Sequence, residues 1–189
     1  MNYAGSYTFT DPLTIRSASS GGGAITVSDA LNTGTNSLTI TSGGAVSLVA
    51  VTSGTLGVTG TGITLNGNVT TSGTQTYTGA VTLGASMTAA STGSASTGNN
   101  ISFSSTVNGT TTNTESLTIN SGTVGTISVS GIVGGSVTPN TITITNSGGA
   151  TFSAAVSTGT GVVITSSATN ANITFTGALT TPTLTVGAA

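Results

Sequence analysis

Only four of the 189 residues are formally charged (Asp11, Arg16, Asp29 and Glu115), and Lys, His, Cys and Trp are absent, whereas about a quarter of an ordinary globular chain is charged. One Arg and a net charge of −2 exclude a surface that tracks a nucleic-acid backbone or an anionic membrane. The lack of Cys excludes disulfides and thiolate metal sites, and no apolar run approaches the roughly eighteen residues of a spanning helix.

Hydrophobic residues still make up 35% of the chain, more than a disordered polar segment carries. They are mostly β-branched or aromatic and alternate with Thr and Ser, the pattern of half-buried strands. Residues 1–6 precede the first such pattern and are expected to form an N-terminal arm. The opening MNYAGSYTFT has neither the basic segment nor the apolar core of a signal peptide. A signal already removed, a longer parent chain and another export route all fit that opening.

From residue 7 a seven-residue pattern returns nine times: YTFTDPL (7–13), ITVSDAL (25–31), VSLVAVT (46–52), ITLNGNV (63–69), VTLGASM (81–87), ISFSSTV (101–107), ISVSGIV (127–133), ATFSAAV (150–156) and ITFTGAL (173–179). The third copy is imperfect, with Val51 one place early. The starts lie 18, 21, 17, 18, 20, 26, 23 and 23 residues apart, a period of about 18–26. Because side chains alternate along a strand, position three is expected to form an inward core ladder: Phe9, Val27, Leu48, Leu65, Leu83, Phe103, Val129, Phe152 and Phe175. Position two is expected to form an outward Thr/Ser ladder: Thr8, Thr26, Ser47, Thr64, Thr82, Ser102, Ser128, Thr151 and Thr174. Positions five and six, mostly Gly, Ala or Ser, suit a corner.

A second, looser strand recurs between copies, as in LTI (38–40), TYT (76–78), LTI (117–119), ITI (142–144), VVI (162–164) and LTV (184–186). A period near 20 leaves no room for a helical crossover. It fits one coil of a solenoid whose strands pair with their equivalents one coil up and down. The reading is an all-β, single-stranded parallel β-solenoid (β-helix) of about nine coils, one elongated domain over residues 1–189, roughly 43 Å long at the spacing of paired strands. The longer spacings after residue 107 predict bulging loops or a larger cross-section. An antiparallel sandwich is the alternative, and column identity at a long period weighs against it.

Stretches such as GNVTTSGTQTYTGAVTLGA (67–85) and STVNGTTTNTESLTINSG (105–122) resemble the β-strand repeats of large bacterial surface proteins of the filamentous-haemagglutinin and autotransporter-adhesin type. The resemblance runs from about residue 24 to the end. It implies a right-handed parallel β-helix, secretion to the cell surface, and work as a stalk, adhesive surface or matrix component. It carries over no catalytic residue. No stretch resembles the secretion domain or translocator barrel of those proteins.

The chemistry available to a site is sparse. Asp11 and Asp29 fall at the same motif position in successive copies, so they are expected to stack about 5 Å apart. The expected reading is a corner where each Asp bonds backbone near Arg16, with a Ca²⁺ contact as the one metal alternative; calcium takes six or more oxygens, so carbonyls would have to help. No other cofactor is expected, and general acid–base catalysis lacks its titratable partners. The runs Gly21-Gly22-Gly23, Gly43-Gly44 and Gly134-Gly135 lack the Lys and helix of a phosphate cradle.

Thr-x-Thr pairs, such as Thr39–Thr41, Thr76–Thr78 and Thr174–Thr176, raise an ice- or surface-binding alternative through the outward Thr ladder. Position four, running Thr10, Ser28, Val49, Asn66, Gly84, Ser104, Ser130, Ser153 and Thr176, does not extend it as a regular rank. Most aromatics fall in inward columns, which leaves Tyr3 and Tyr77 as poor candidates for carbohydrate recognition. The expectation is a non-enzymatic extracellular structural protein, a surface fibre, adhesin stalk or filament subunit. Its partner would be another copy, head to tail, or the rest of a longer array, with no nucleic acid and no membrane span.

Overall fold

The computed structural model describes residues 7–17, 22–92 and 97–187. Alternation of β-branched and hydroxyl residues makes each short run a strand, and Gly, Ser or Asn ends it after two to four residues in most cases. Among the described residues there is no helix, and every strand pair is parallel.

The chain winds through three walls in fixed order. The first wall stacks Tyr7–Thr8, Leu31–Asn32, Val51–Ser53, Val69–Thr71, Met87–Ala90, Leu117–Asn120, Thr141–Asn146, Gly161–Ile164 and Leu184–Val186. The second stacks Leu13–Arg16, Leu38–Thr41, the first half of Leu56–Leu65, the first half of Gln75–Leu83, Ile101–Phe103, Ile127–Val129, Ala150–Phe152 and Ile173–Phe175. The third holds Ile25–Thr26, Val46–Leu48, the second halves of the two long strands, Val107–Gly109, a single bridge at Val133, Val156–Ser157 and Leu179–Thr180.

Among the described residues, nine first-wall strands enclose about eight turns, one fewer than the nine coils expected. At the spacing of paired strands the rod is roughly 38 Å long. The advance per turn ranges from 17 residues, Val46 to Ile63, to 30, Ala89 to Ile119. The strands of the longer turns are no longer than those of the shorter ones, so the extra residues fall between strands.

The nine sequence copies do not form one column. Ile25, Val46, Ile63 and Val81 stack on the third wall. The next residue in that column is Val107, not Ile101. Ile101, Ile127, Ala150 and Ile173 stack on the second wall, above Gln75. The first copy is displaced as well, because Tyr7 pairs with Leu31 on the first wall. All three walls carry apolar–polar–apolar strands followed by small residues, so the pattern repeats within a turn as well as between turns. A copy aligned by pattern can therefore slip by one wall without a mismatch.

Inside the walls the core is continuous, from Ile15 to Ile164. Like residues stack on parallel strands at a spacing that suits aromatic rings. Tyr77 lies on Phe103 with ring centroids 4.8 Å apart, and Phe152 on Phe175 at 4.9 Å.

A buried hydroxyl ladder runs where the first wall ends: Thr33, Ser53, Thr71, Ser91, Ser121 and Ser147, each at most 2% exposed. Strand register places them on consecutive rungs. Most turn the corner by donating to a carbonyl just downstream. Thr33 bonds Asn36 O at 2.8 Å, Thr71 bonds Gly73 O at 2.6 Å, Ser121 bonds Gly125 O at 2.8 Å, and Ser91 bonds Asn99 O. These local bonds satisfy backbone groups that a corner would otherwise strand.

Candidate hydroxyl face on the second wall

On the second wall the strands stay in register through eight rungs. Two positions per strand point outward. The first forms the rank Thr14, Thr39, Gly57, Thr76, Ser102, Ser128, Thr151 and Thr174. The second forms the rank Arg16, Thr41, Thr59, Thr78, Ser104, Ser130, Ser153 and Thr176. Apart from Gly57 and Arg16, every position in the two ranks of eight carries a hydroxyl. Every member of the second rank is exposed, and the first rank is exposed or half-buried.

Each outward residue is fixed by its inward neighbours. Leu38 and Ile40 flank Thr39, Tyr77 lies between Thr76 and Thr78, and Phe103 between Ser102 and Ser104; all these inward residues are 0% exposed. At ordinary strand geometry, outward positions within a strand are about 6.6–6.8 Å apart along the backbone and those on adjacent rungs about 4.8 Å. The result is a rectangular two-rank lattice.

The other walls differ. The first wall interrupts its outward positions with Asn32, Ala90, Asn120 and Val163. Asn side chains there and at the corners stitch rungs together. Asn68 Oδ1 accepts from Thr88 N at 2.8 Å, Asn100 Oδ1 from Thr126 N at 2.9 Å, and Asn108 Oδ1 from Ser136 N at 3.1 Å. On the third wall Asn66 Nδ2 donates to Ser47 Oγ at 3.1 Å.

The expected outward ladder is therefore spread over the walls. Thr26, Ser47, Thr64 and Thr82 stand on the third, and Ser102, Ser128, Thr151 and Thr174 on the second, all exposed or half-buried. Thr8 is on the first-wall strand Tyr7–Thr8, and its side chain lies outside the described residues. The expected core ladder splits in the same way. Val27, Leu48, Leu65 and Leu83 are buried at the third wall, and Phe103, Val129 and Phe152 at the second. Phe9 and Phe175 are partly buried against the core. Pattern matching across the wall slip hid the second rank: its members Thr41, Thr59 and Thr78 lie outside the aligned motif.

Asp11 and Asp29 do not share a corner. Asp11 lies between Tyr7–Thr8 and Leu13–Arg16, the turn that pairs with Thr33–Ser37 through Leu13 N to Ser37 O at 2.9 Å. Asp29 lies between Ile25–Thr26 and Leu31–Asn32, beside the Val49–Ala50 corner, where Leu31 N bonds Ala50 O at 3.0 Å. The expected stacking of the two carboxylates fails because the first copy is displaced by one wall. Tyr77, read as one of two aromatics outside the inward columns, is 0% exposed. Tyr3 lies outside the described residues.

Two polar groups buried in the core carry no periodic signal. Gln75 is fully enclosed; its Nε2 donates to Ala90 O at 2.8 Å and Thr71 Oγ1 at 3.2 Å, and its Oε1 accepts from Tyr77 Oη at 2.9 Å. Burial pushes the Tyr77 phenol far above its usual range. Glu115, 6% exposed, accepts from Thr110 N and Thr111 N at 3.0 Å each. Its carboxylate fills the space that a side chain at Gly109 would need, since a Cβ there would meet Glu115 Oε2 at 2.7 Å. The chain matches no family model, no curated protein and no solved structure.

Proposed function

We propose that this chain is a non-enzymatic structural element of the cell exterior, a β-solenoid rod serving as a surface fibre, adhesin stalk or filament subunit. The observation that carries this reading is the continuity of one apolar core inside parallel walls that stay in register from turn to turn. The columns ending at Leu184 and Val186 are buried through the middle of the rod, at Ile142 and Ile144 for example, yet Leu184 is 50% and Val186 64% exposed. Ile173, Phe175 and Leu179 on the same turn are only partly buried. In the self-stacking form of this reading, a second copy seated on this turn would cover these residues and pair with the backbone of Leu184–Val186. The three carboxylates support a structural role, with Asp11 and Asp29 at separate corners and Glu115 held by backbone N–H groups. The surface location rests on the resemblance of the repeats to bacterial surface proteins.

Electron microscopy and sedimentation of the 189-residue chain over a concentration series test the self-stacking form. Rods lengthening with concentration are expected, and a Leu184→Lys/Val186→Pro variant, which charges the edge and removes a backbone donor on its open side, should stay short. Short rods at every concentration would rule out head-to-tail assembly.

A further inference from the structure

We propose that the outer face of the second wall binds ice. Its ligand is a crystalline surface of water, and the lattice described above is the binding site. Two in-register ranks at about 6.6–6.8 Å and 4.8 Å lie close to the two repeat distances of a prism face of hexagonal ice. A crystal surface is bound through many weak contacts at once, so commensurate repetition over eight rungs matters more than the strength of any one contact.

Three further features favour a water lattice as the occupant. Apart from Arg16 at one edge, the ranks hold no charge that would organise water around itself. No aromatic stands outward there, which disfavours a sugar chain that stacks on rings: Tyr77, Phe103 and Phe152 all point inward and are at most 1% exposed. Nine of the fourteen hydroxyl residues are Thr, whose branched Cβ restricts the hydroxyl and methyl to few rotamers, so little entropy is lost when water orders on them. The first wall, broken by Asn, Ala and Val, has no such lattice, and the third presents a single rank.

The test is ice-recrystallisation inhibition and ice-affinity partitioning of the 189-residue chain, with folding checked by circular dichroism. The wild type is expected to enter growing ice and restrain recrystallisation. Thr59→Tyr and Thr78→Tyr, placing a ring in the middle of the second rank, should lower activity about tenfold or more, as loss of simultaneous contacts does. Thr64→Tyr on the third wall should leave it unchanged. Gly57→Thr, which completes the first rank where a Cβ meets nothing within 4 Å, should raise it. A wild type that neither partitions into ice nor slows its growth overturns the proposal. So does equal loss in Thr64→Tyr, or retention on crystalline chitin or cellulose with none on ice. Filament length is read separately and should not change in these variants, so failure here is distinct from failure of the structural reading.

Discussion

Gln75 interrupts a column that is otherwise apolar, from Leu38 and Leu56 below to Ile101 and Ile127 above, and pairs with Tyr77 in the neighbouring column. A buried polar group is tolerated only with its partners in place. Gln75→Leu should therefore cost about 1–3 kcal/mol, because the Tyr77 hydroxyl loses its acceptor and Ala90 O its donor. Adding Tyr77→Phe to Gln75→Leu should recover part of that loss, because replacing both partners approaches neutrality. Urea midpoints of the two single variants and the double variant measure the coupling. The same Tyr sets an alkaline limit. Its folded pKa is raised, so the folded chain holds a proton that the unfolded chain releases above about pH 10. Stability should be unaffected by this group below that pH. It should then fall by up to about 1.4 kcal/mol per pH unit, read as a drop in melting temperature that Tyr77→Phe removes.

At the scale of elements, corners decide how the walls meet. The two longest strands, Leu56–Leu65 and Gln75–Leu83, run through the bend between the second and third walls with Gly60 and Gly79 at the bend. Gly79 has φ +143°, and a Cβ there would lie 2.1 Å from Gly60 O. Gly79→Ala should destabilise by more than about 2 kcal/mol, as strain and backbone overlap add. Gly57, in the same pair of rungs, has open space at its Cβ, and Gly57→Thr should stabilise by about 0.5–1 kcal/mol through β propensity and contact with Thr39 and Thr76. Thermal melts of the two variants, shifting in opposite directions, check both statements.

At the scale of the whole molecule, each rung contacts only its neighbours, so stability is a sum of rung and interface terms rather than a property of one centre. The rungs from Leu38–Thr41 to Thr141–Asn146 bury their inward residues almost completely, while the last turn does not. Amide exchange should be slowest in those central strands and fastest in Ile173–Phe175 and Leu184–Val186, with openings that spread inward from the end. If copies stack end to end, protection of Leu184–Val186 should rise with protein concentration. Exchange mass spectrometry at two concentrations reads both effects.

The sequence by itself determined the fold class, because alternation, small-residue corners and a period too short for a crossover helix leave little besides a parallel coil. It also determined which way the ladder residues face, since strand period alone sets the side, as Val27, Leu65 and Phe103 show. It did not determine which wall a copy occupies, because the three walls share one pattern and the turns vary between 17 and 30 residues. The tertiary register settled that choice. It separated Asp11 from Asp29, turned Tyr77 into core, and aligned Thr41, Thr59 and Thr78, which the motif alignment left out, in one rank. The hydroxyl ladder had a readable signal, Ser or Thr followed within two residues by Gly, as at Ser53-Gly54, Ser121-Gly122 and Ser147-Gly148. Gln75 and Glu115 had none, because their burial depends on hydrogen-bond partners brought from other turns or folded back around a corner, and only the wound chain brings those partners together.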